Sequence, residues 1–232
     1  MSDDVPFRLP PVDPSEADQV PSASLTPELL AGLLADGDDE LAAWTLQHAM
    51  EESSRTAVYD GLLTDAMRLV GENWSTGRWS IAEEHLASRT LLRTLDRMRP
   101  ALGPEGRVGP LAVLAGVAGE QHMIGLVCLE HCLAEDGWAV ANLGTDLPAA
   151  DLATFVARNE VAVVCLSTLD RARVGALADA VKAVKDTKPG IPVIVGGQIA
   201  RVPGLATTVA ADGSVRSLAE AVALARSHRP AS

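Results

Sequence analysis

From Thr26 to about Arg99 the apolar positions recur at helical spacing. Leu29, Leu30, Leu33 and Leu34 form a first stretch, which Gly37-Asp38-Asp39 interrupts. A second runs from Asp39 to Ser53 with Leu41, Trp44, Leu46 and His48, and a third from Thr56 to Asn73 with Val58, Leu62, Leu69 and Val70. A fourth, Ser80 to Met98, follows the Thr76-Gly77 break. There Ser80 is placed to cap a helix and Glu83, three residues on, to complete a capping box. Thr26-Pro27-Glu28 reads as the first helix start, with a hydroxyl cap, a proline in the first turn and an acid at the positive helix end. Four helices with short breaks predict a small bundle.

The texture changes after a Gly/Pro-rich stretch, residues 100–110. Short apolar runs follow at Leu111–Ala118, Ala139–Leu143, Val161–Leu166, Ile191–Val195 and Thr207–Ala210. They alternate with helical stretches near Gly125–Asp136, Ala149–Arg158, Val174–Lys185 and Leu218–Ser227. Strands apolar throughout and separated by helices predict a parallel sheet covered on both faces. The fold class is therefore α/β: a four-helix bundle cap, then a doubly wound, Rossmann-like parallel sheet. The organisation expected is a disordered leader over 1–24, a bundle over 25–99, a linker over 100–110 and the sheet domain over 111–232.

Composition narrows the function classes. The 232 residues are 47% hydrophobic and 22% charged, which suits a globular chain. No apolar run approaches the roughly 18 residues that cross a bilayer, and the N-terminus lacks the pattern of a secretory signal. Cys128, Cys132 and Cys165 lie in apolar contexts and read as reduced thiols, which points to the cytoplasm. The net charge is −12, and residues 1–56 hold twelve acids against Arg8 and Arg55 alone. A front end of that sign repels phosphate, so no direct nucleic-acid binding is expected, and no membrane partner.

In an open parallel sheet the residues just beyond the strands are the ones to inspect for ligand chemistry. After the first run comes Gly119-Glu120-Gln121-His122-Met123-Ile124-Gly125. A neutral loop imidazole is a good transition-metal ligand, Glu120 is placed to orient it, and Gly125 permits close approach at a helix start. Taken alone, a loop His beside a Glu is usually a hydrogen-bonded surface pair. The third run ends Leu166-Ser167-Thr168-Leu169 and the fourth Val195-Gly196-Gly197; the second ends in the turn Asn142 to Pro148. Each can wall a pocket, and each alone does no more than end a strand. No GxxxxGK[ST] loop occurs and no GxGxxG follows a strand, so the familiar nucleotide-phosphate sites have no support. Cys128, His131 and Cys132 share a helix whose apolar neighbours favour packing over metal binding. No local Ser–His–Asp or Cys–His set suggests a hydrolase.

Together, Glu120-x-His122-x-x-Gly125, Ser167-x-Leu169 and Gly196-Gly197 resemble the cobalamin-binding domain family. The resemblance implies that His122 replaces the cofactor's own base as the lower axial cobalt ligand, while Ser167, Leu169, Gly196 and Gly197 line the channel for the displaced tail. Glu120 stands where Asp is commoner. In the bundle, Trp74 followed after nine residues by Glu84-His85 resembles the cap of the light-sensing branch, where it accommodates a 5′-deoxyadenosyl group. The resemblance spans roughly residues 26–228. It implies adenosylcobalamin as cofactor and a photoreceptor and regulator, not an enzyme, that signals by a light-dependent homo-oligomer or a protein partner such as a transcription regulator. The best-known members carry an N-terminal helix-turn-helix domain; here an acidic leader stands in front, so an indirect route to transcription is expected. Some relatives carry His beside the capping Trp; here it is Ser75. The runner-up is a corrinoid carrier for methyl transfer, which the Trp-x9-Glu-His cap and Glu120 argue against. A structural module that keeps only the fold comes last.

Overall fold

The computed structural model describes residues 25–100 and 109–230, which form two compact units that divide after Met98. The leader expected over 1–24 and residues 101–108 of the expected linker lie outside the described residues.

In the helical unit the local signals act as read. Thr26 Oγ1 accepts from Leu29 N (3.2 Å), Pro27 opens α1 (Pro27–Asp36), and left-handed Gly37 closes it. Asp38 caps α2 (Asp39–Glu52) through Leu41 N at 2.9 Å. The third helix departs from a uniform period. Helix α3 (Arg55–Val58) continues through a π-turn, Tyr59–Leu63, into α4 (Thr64–Ser75). In this wider turn Tyr59 O accepts from the Thr64 backbone N–H and also from the Thr64 hydroxyl, the latter at 2.7 Å. Helix α5 (Ile81–Arg97) starts at the Ser80–Glu83 capping box. Helix α1 packs on α2, α4 and α5. The core contains Leu30, Leu34, Leu46, Tyr59, Leu91 and Leu95, all fully buried. Asp39 ties the start of α2 to the end of α5 through Arg97 Nε (2.5 Å) and Arg93 Nε (3.2 Å). The Arg97 hydrogen bond is the main cause holding its carboxyl below the ordinary value, outweighing burial.

The second unit is a five-stranded parallel sheet in the order β2-β1-β3-β4-β5. Its elements are β1 (Leu111–Gly116), α6 (Ile124–Glu135), β2 (Ala139–Asn142), α7 (Ala149–Arg158), β3 (Val161–Ser167), α8 (Val174–Thr187), β4 (Val193–Gly196), α9 (Leu205–Thr208), β5 (Gly213–Ser214) and α10 (Leu218–Ser227). Val113, Ala115, Val164, Leu166, Val193 and Val195 share one buried cluster with α7 and α8. The alternate positions Leu114, Cys165 and Ile194 are equally buried, and α6 and α10 pack on the strands, so both faces are covered. One expectation fails. Thr207–Ala210 is not a strand: Leu205–Thr208 is a short helix that buries Leu205, and the fifth strand is the two-residue Gly213–Ser214. Gly204 in a left-handed conformation starts that turn, and an apolar tetrapeptide suits a buried turn as well as a strand.

The buried cysteines fit their packing role. Cys128 and Cys132 lie inside α6 with fully buried His131, and burial pushes the Cys165 thiol up to about 12. Among the described residues no three His, Cys, Asp or Glu side chains group as a metal site. Among them also, no helix is long and apolar enough to cross a membrane.

Candidate functional site

Strand β1 has β2 on one side and β3 on the other, so the chain reverses its direction of growth across the sheet at the β1/β3 pair. The crevice beyond such a switch point is where open α/β sheets take ligands. The loops leaving β1, β3 and β4 bring together Glu120 and His122, Ser167 to Leu169, and Gly196-Gly197.

Glu120 organises this edge. Its Oε1 accepts from Gln121 N (2.8 Å), His122 N (2.9 Å) and His122 Nδ1 (2.5 Å). Its Oε2 accepts from Leu169 N (2.7 Å) and the Thr168 hydroxyl (2.8 Å) across the sheet edge. Burial by itself pushes this carboxyl up. The backbone donors of His122 and Leu169, then Thr168 and the imidazole, outweigh it and hold the group at about 2. The carboxylate is thus a fixed negative charge inside the fold.

His122 receives the benefit. With Nδ1 held by Glu120, the ring's orientation is set and Nε2 faces outward on a side chain 65% exposed. An imidazole tied in this way presents one oriented lone pair. Gly197 has φ +91°, and a Cβ there would run into the Thr168 carbonyl, so the backbone itself requires glycine. Ser167, half-buried, is the side-chain neighbour of that glycine. Gly125 differs: it is exposed on the first turn of α6, and a Cβ would meet nothing within 4 Å.

The sequence offers Thr168 and Asp146 only as parts of strand ends that could wall a pocket; the structure gives each a bond to the His122 loop. Thr168 is fully buried and supplies one of the five hydrogen bonds to Glu120; its place inside Ser167-x-Leu169 was the available signal. Asp146, in the turn after β2, has φ +55° and accepts from Gly119 N at 2.5 Å.

The helical unit holds the second set. Trp74 is in the last turn of α4 and 50% exposed, and the turn through Thr76 and left-handed Gly77 leads to the capping box that starts α5. In the first turns of α5, Glu84 Oε2 contacts His85 Nδ1 at 2.6 Å and Glu84 Oε1 accepts from the Ser88 hydroxyl at 2.8 Å. Ile81 and Leu86 are exposed beside them in sequence. Trp79 is half-buried, and Trp138 is buried with Nε1 donating to Asp136 at 3.2 Å.

Two family models, each described as a B12 binding domain, match residues 110–224 and residues 28–98. The chain belongs to the B12 binding domain family. It is similar to the HTH-type transcriptional repressor CarA of Myxococcus xanthus, at 37% identity over 150 residues, 62% of this chain and 48% of that protein. It is likewise similar to the HTH-type transcriptional repressor CarH of the same organism, at 33% over 144 residues and the same coverage. The chain spans about half the length of these curated relatives. Among solved structures, the monomethylamine corrinoid protein of Methanosarcina barkeri shares the fold, with a TM-score of 0.70 at 16% identity over 85% of this chain and 95% of that one.

The residues of the sheet edge fit a B12 group. A cobalt ligand must offer an accessible nitrogen lone pair, and His122 Nε2 is accessible while Nδ1 is engaged. A flat macrocycle must approach the backbone closely, and Gly125 is exposed with open space where a Cβ would stand.

Proposed function

We propose that this chain is a light-responsive cobalamin sensor, binding adenosylcobalamin and passing its state to other protein surfaces. In this reading His122 Nε2 is the lower cobalt ligand, Glu120 sets its direction, and Gly125, Ser167, Leu169, Gly196 and Gly197 shape the channel. Trp74, Glu84 and His85 serve the adenosyl group, the indole as a flat apolar surface and the carboxylate–imidazole pair as hydrogen-bonding groups. When bound, an alkylcobalamin supplies a cobalt–carbon bond that visible light breaks.

The observation that carries the sensor reading over a methyl carrier is Trp74. A tryptophan kept for packing is buried, as Trp138 is, but Trp74 is half-exposed on the helix preceding the Glu84–His85 pair. The likeness to two repressors supports a regulatory role. The net charge of −12 supports a protein rather than a nucleic acid as recipient. The signal follows from differential contact: a group that touches Trp74, Glu84 and His85 in one state and not in the other shifts assembly or partner affinity.

The test is to load the full chain with adenosylcobalamin or with methylcobalamin, then record absorption spectra and gel-filtration volumes in darkness and after green light. A light-dependent change of both with the adenosyl form supports the sensor. Stable methylcobalamin binding, methyl transfer from an added donor system and unchanged assembly would replace it with the corrinoid carrier.

A further inference from the structure

Resting on the reading of His122 as cobalt ligand, we propose that Asp146 is a positioning residue for His122, acting through the backbone of Gly119. The loop that carries His122 is held on its β3 side by Glu120. On its other side the turn after β2 is laid against the exit of β1. Gly116 N donates to Gly144 O (2.8 Å), Leu147 N to Gly116 O (3.0 Å), and Val117 and Leu147 form an isolated parallel bridge. These bonds deliver the Asp146 carboxylate to Gly119 N, three residues ahead of His122.

The delivery carries a backbone penalty. Asp146 is exposed yet sits at φ +55°, where glycine rests at least cost and where Asp and Asn are the side chains best tolerated. Glycine would relieve the turn, but it has no carboxylate. Gly119 itself sits at φ +79°, a conformation that strains any side chain placed there, and the Arg173 guanidinium lies beside it. The segment before His122 is therefore tied to the turn after β2 through Asp146, with Glu120 holding the ring. A group aimed at a metal needs such support, since the outer partners of a ligand typically set about ten- to a hundredfold in affinity.

The experiment compares full-length Asp146→Gly, Asp146→Asn and His122→Ala with the natural chain, using adenosylcobalamin in darkness as probe. Absorption reports the fraction whose lower face is nitrogen-ligated, titration reports affinity, and thermal melting of the ligand-free chain reports the fold. Asp146→Gly should melt close to the natural chain, because strain relief offsets the lost bond, yet lose about tenfold in affinity and most of the nitrogen-ligated form. Asp146→Asn, which keeps an acceptor oxygen and tolerates the left-handed backbone, should restore both. Full ligation and affinity in Asp146→Gly, or equal loss in Asp146→Asn, would overturn the proposal. If His122→Ala matches the natural chain in spectrum, the reading of His122 as ligand fails, and this proposal with it.

Discussion

The chain builds a Glu–His pair twice, with different physics. In the sheet unit Glu120 is buried, takes five hydrogen bonds and ties two strand-end loops together, so the outward Nε2 of His122 stands on a rigid base. In the helical unit Glu84 holds His85 Nδ1 as well, but its other bond goes to Ser88 one turn away, and His85 is 69% exposed on a helix start. The first pair is anchored to Thr168 and Leu169, 48 and 49 positions further along the chain, the second to a neighbour on its own helix. A group that must hold a metal direction needs the first kind of support. A pair that touches and releases a ligand group is served by the second.

The contrast is sharpest in the response to losing the carboxylate. Glu120→Ala leaves the Thr168 hydroxyl and the Leu169 N–H without their acceptor and should destabilise the ligand-free chain by roughly 3 kcal/mol, measured by urea denaturation. A cost near zero would mean that Glu120 does not clamp the two loops.

A smaller effect is expected at Asp212, which joins β4 and α8 in the same unit by accepting from Val193 N (2.6 Å) and Lys185 Nζ (2.5 Å). Burial opposes its ionisation, but the Lys185 and Val193 hydrogen bonds outweigh that and lower its carboxyl below the ordinary value. Its contribution is therefore complete above the ordinary carboxylate range and fades as pH falls through the depressed value. Its side chain is 37% exposed, so water screens the pair. Stability measured against pH should show a shallower acid limb in Asp212→Asn, and an unchanged limb would remove Asp212 from the account.

The smallest effect belongs to the second pair. Glu84→Gln should shift stability by no more than about 0.5 kcal/mol, since the pair lies on an exposed helix surface. It should nonetheless weaken adenosylcobalamin binding more than methylcobalamin binding in paired titrations. Equal weakening of both would detach Glu84 from the adenosyl group.

Much of the fold was legible because its signals are local. Ala149–Arg158 and Leu218–Ser227 form helices with the bounds that periodicity gives, and the Ser80–Glu83 box forms with both of its bonds. The fifth strand was not legible, since Gly213-Ser214 has neither length nor alternation, whereas Thr207–Ala210, which overlaps the short helix Leu205–Thr208, mimics a strand with its β-branched residues. The π-turn at Tyr59 was hidden because it changes the helical period only over five residues. At the site, residue types and spacing pointed to His122 and Glu120. The partners that fix them, Thr168 and Asp146, come from other loops, and that proximity exists only once β2, β1 and β3 lie side by side.

The central claim is that a protein imidazole, that of His122, binds cobalt from below. The most direct measurement labels the full chain uniformly with nitrogen-15, loads it with unlabelled cobalamin, and records the electron paramagnetic resonance spectrum of the reduced, cobalt(II) state. The account predicts that the nitrogen splitting changes from a triplet to a doublet on labelling the protein, and that His122→Ala abolishes the change. A triplet that persists in the labelled protein would show the cofactor's own base still in place, and would contradict it.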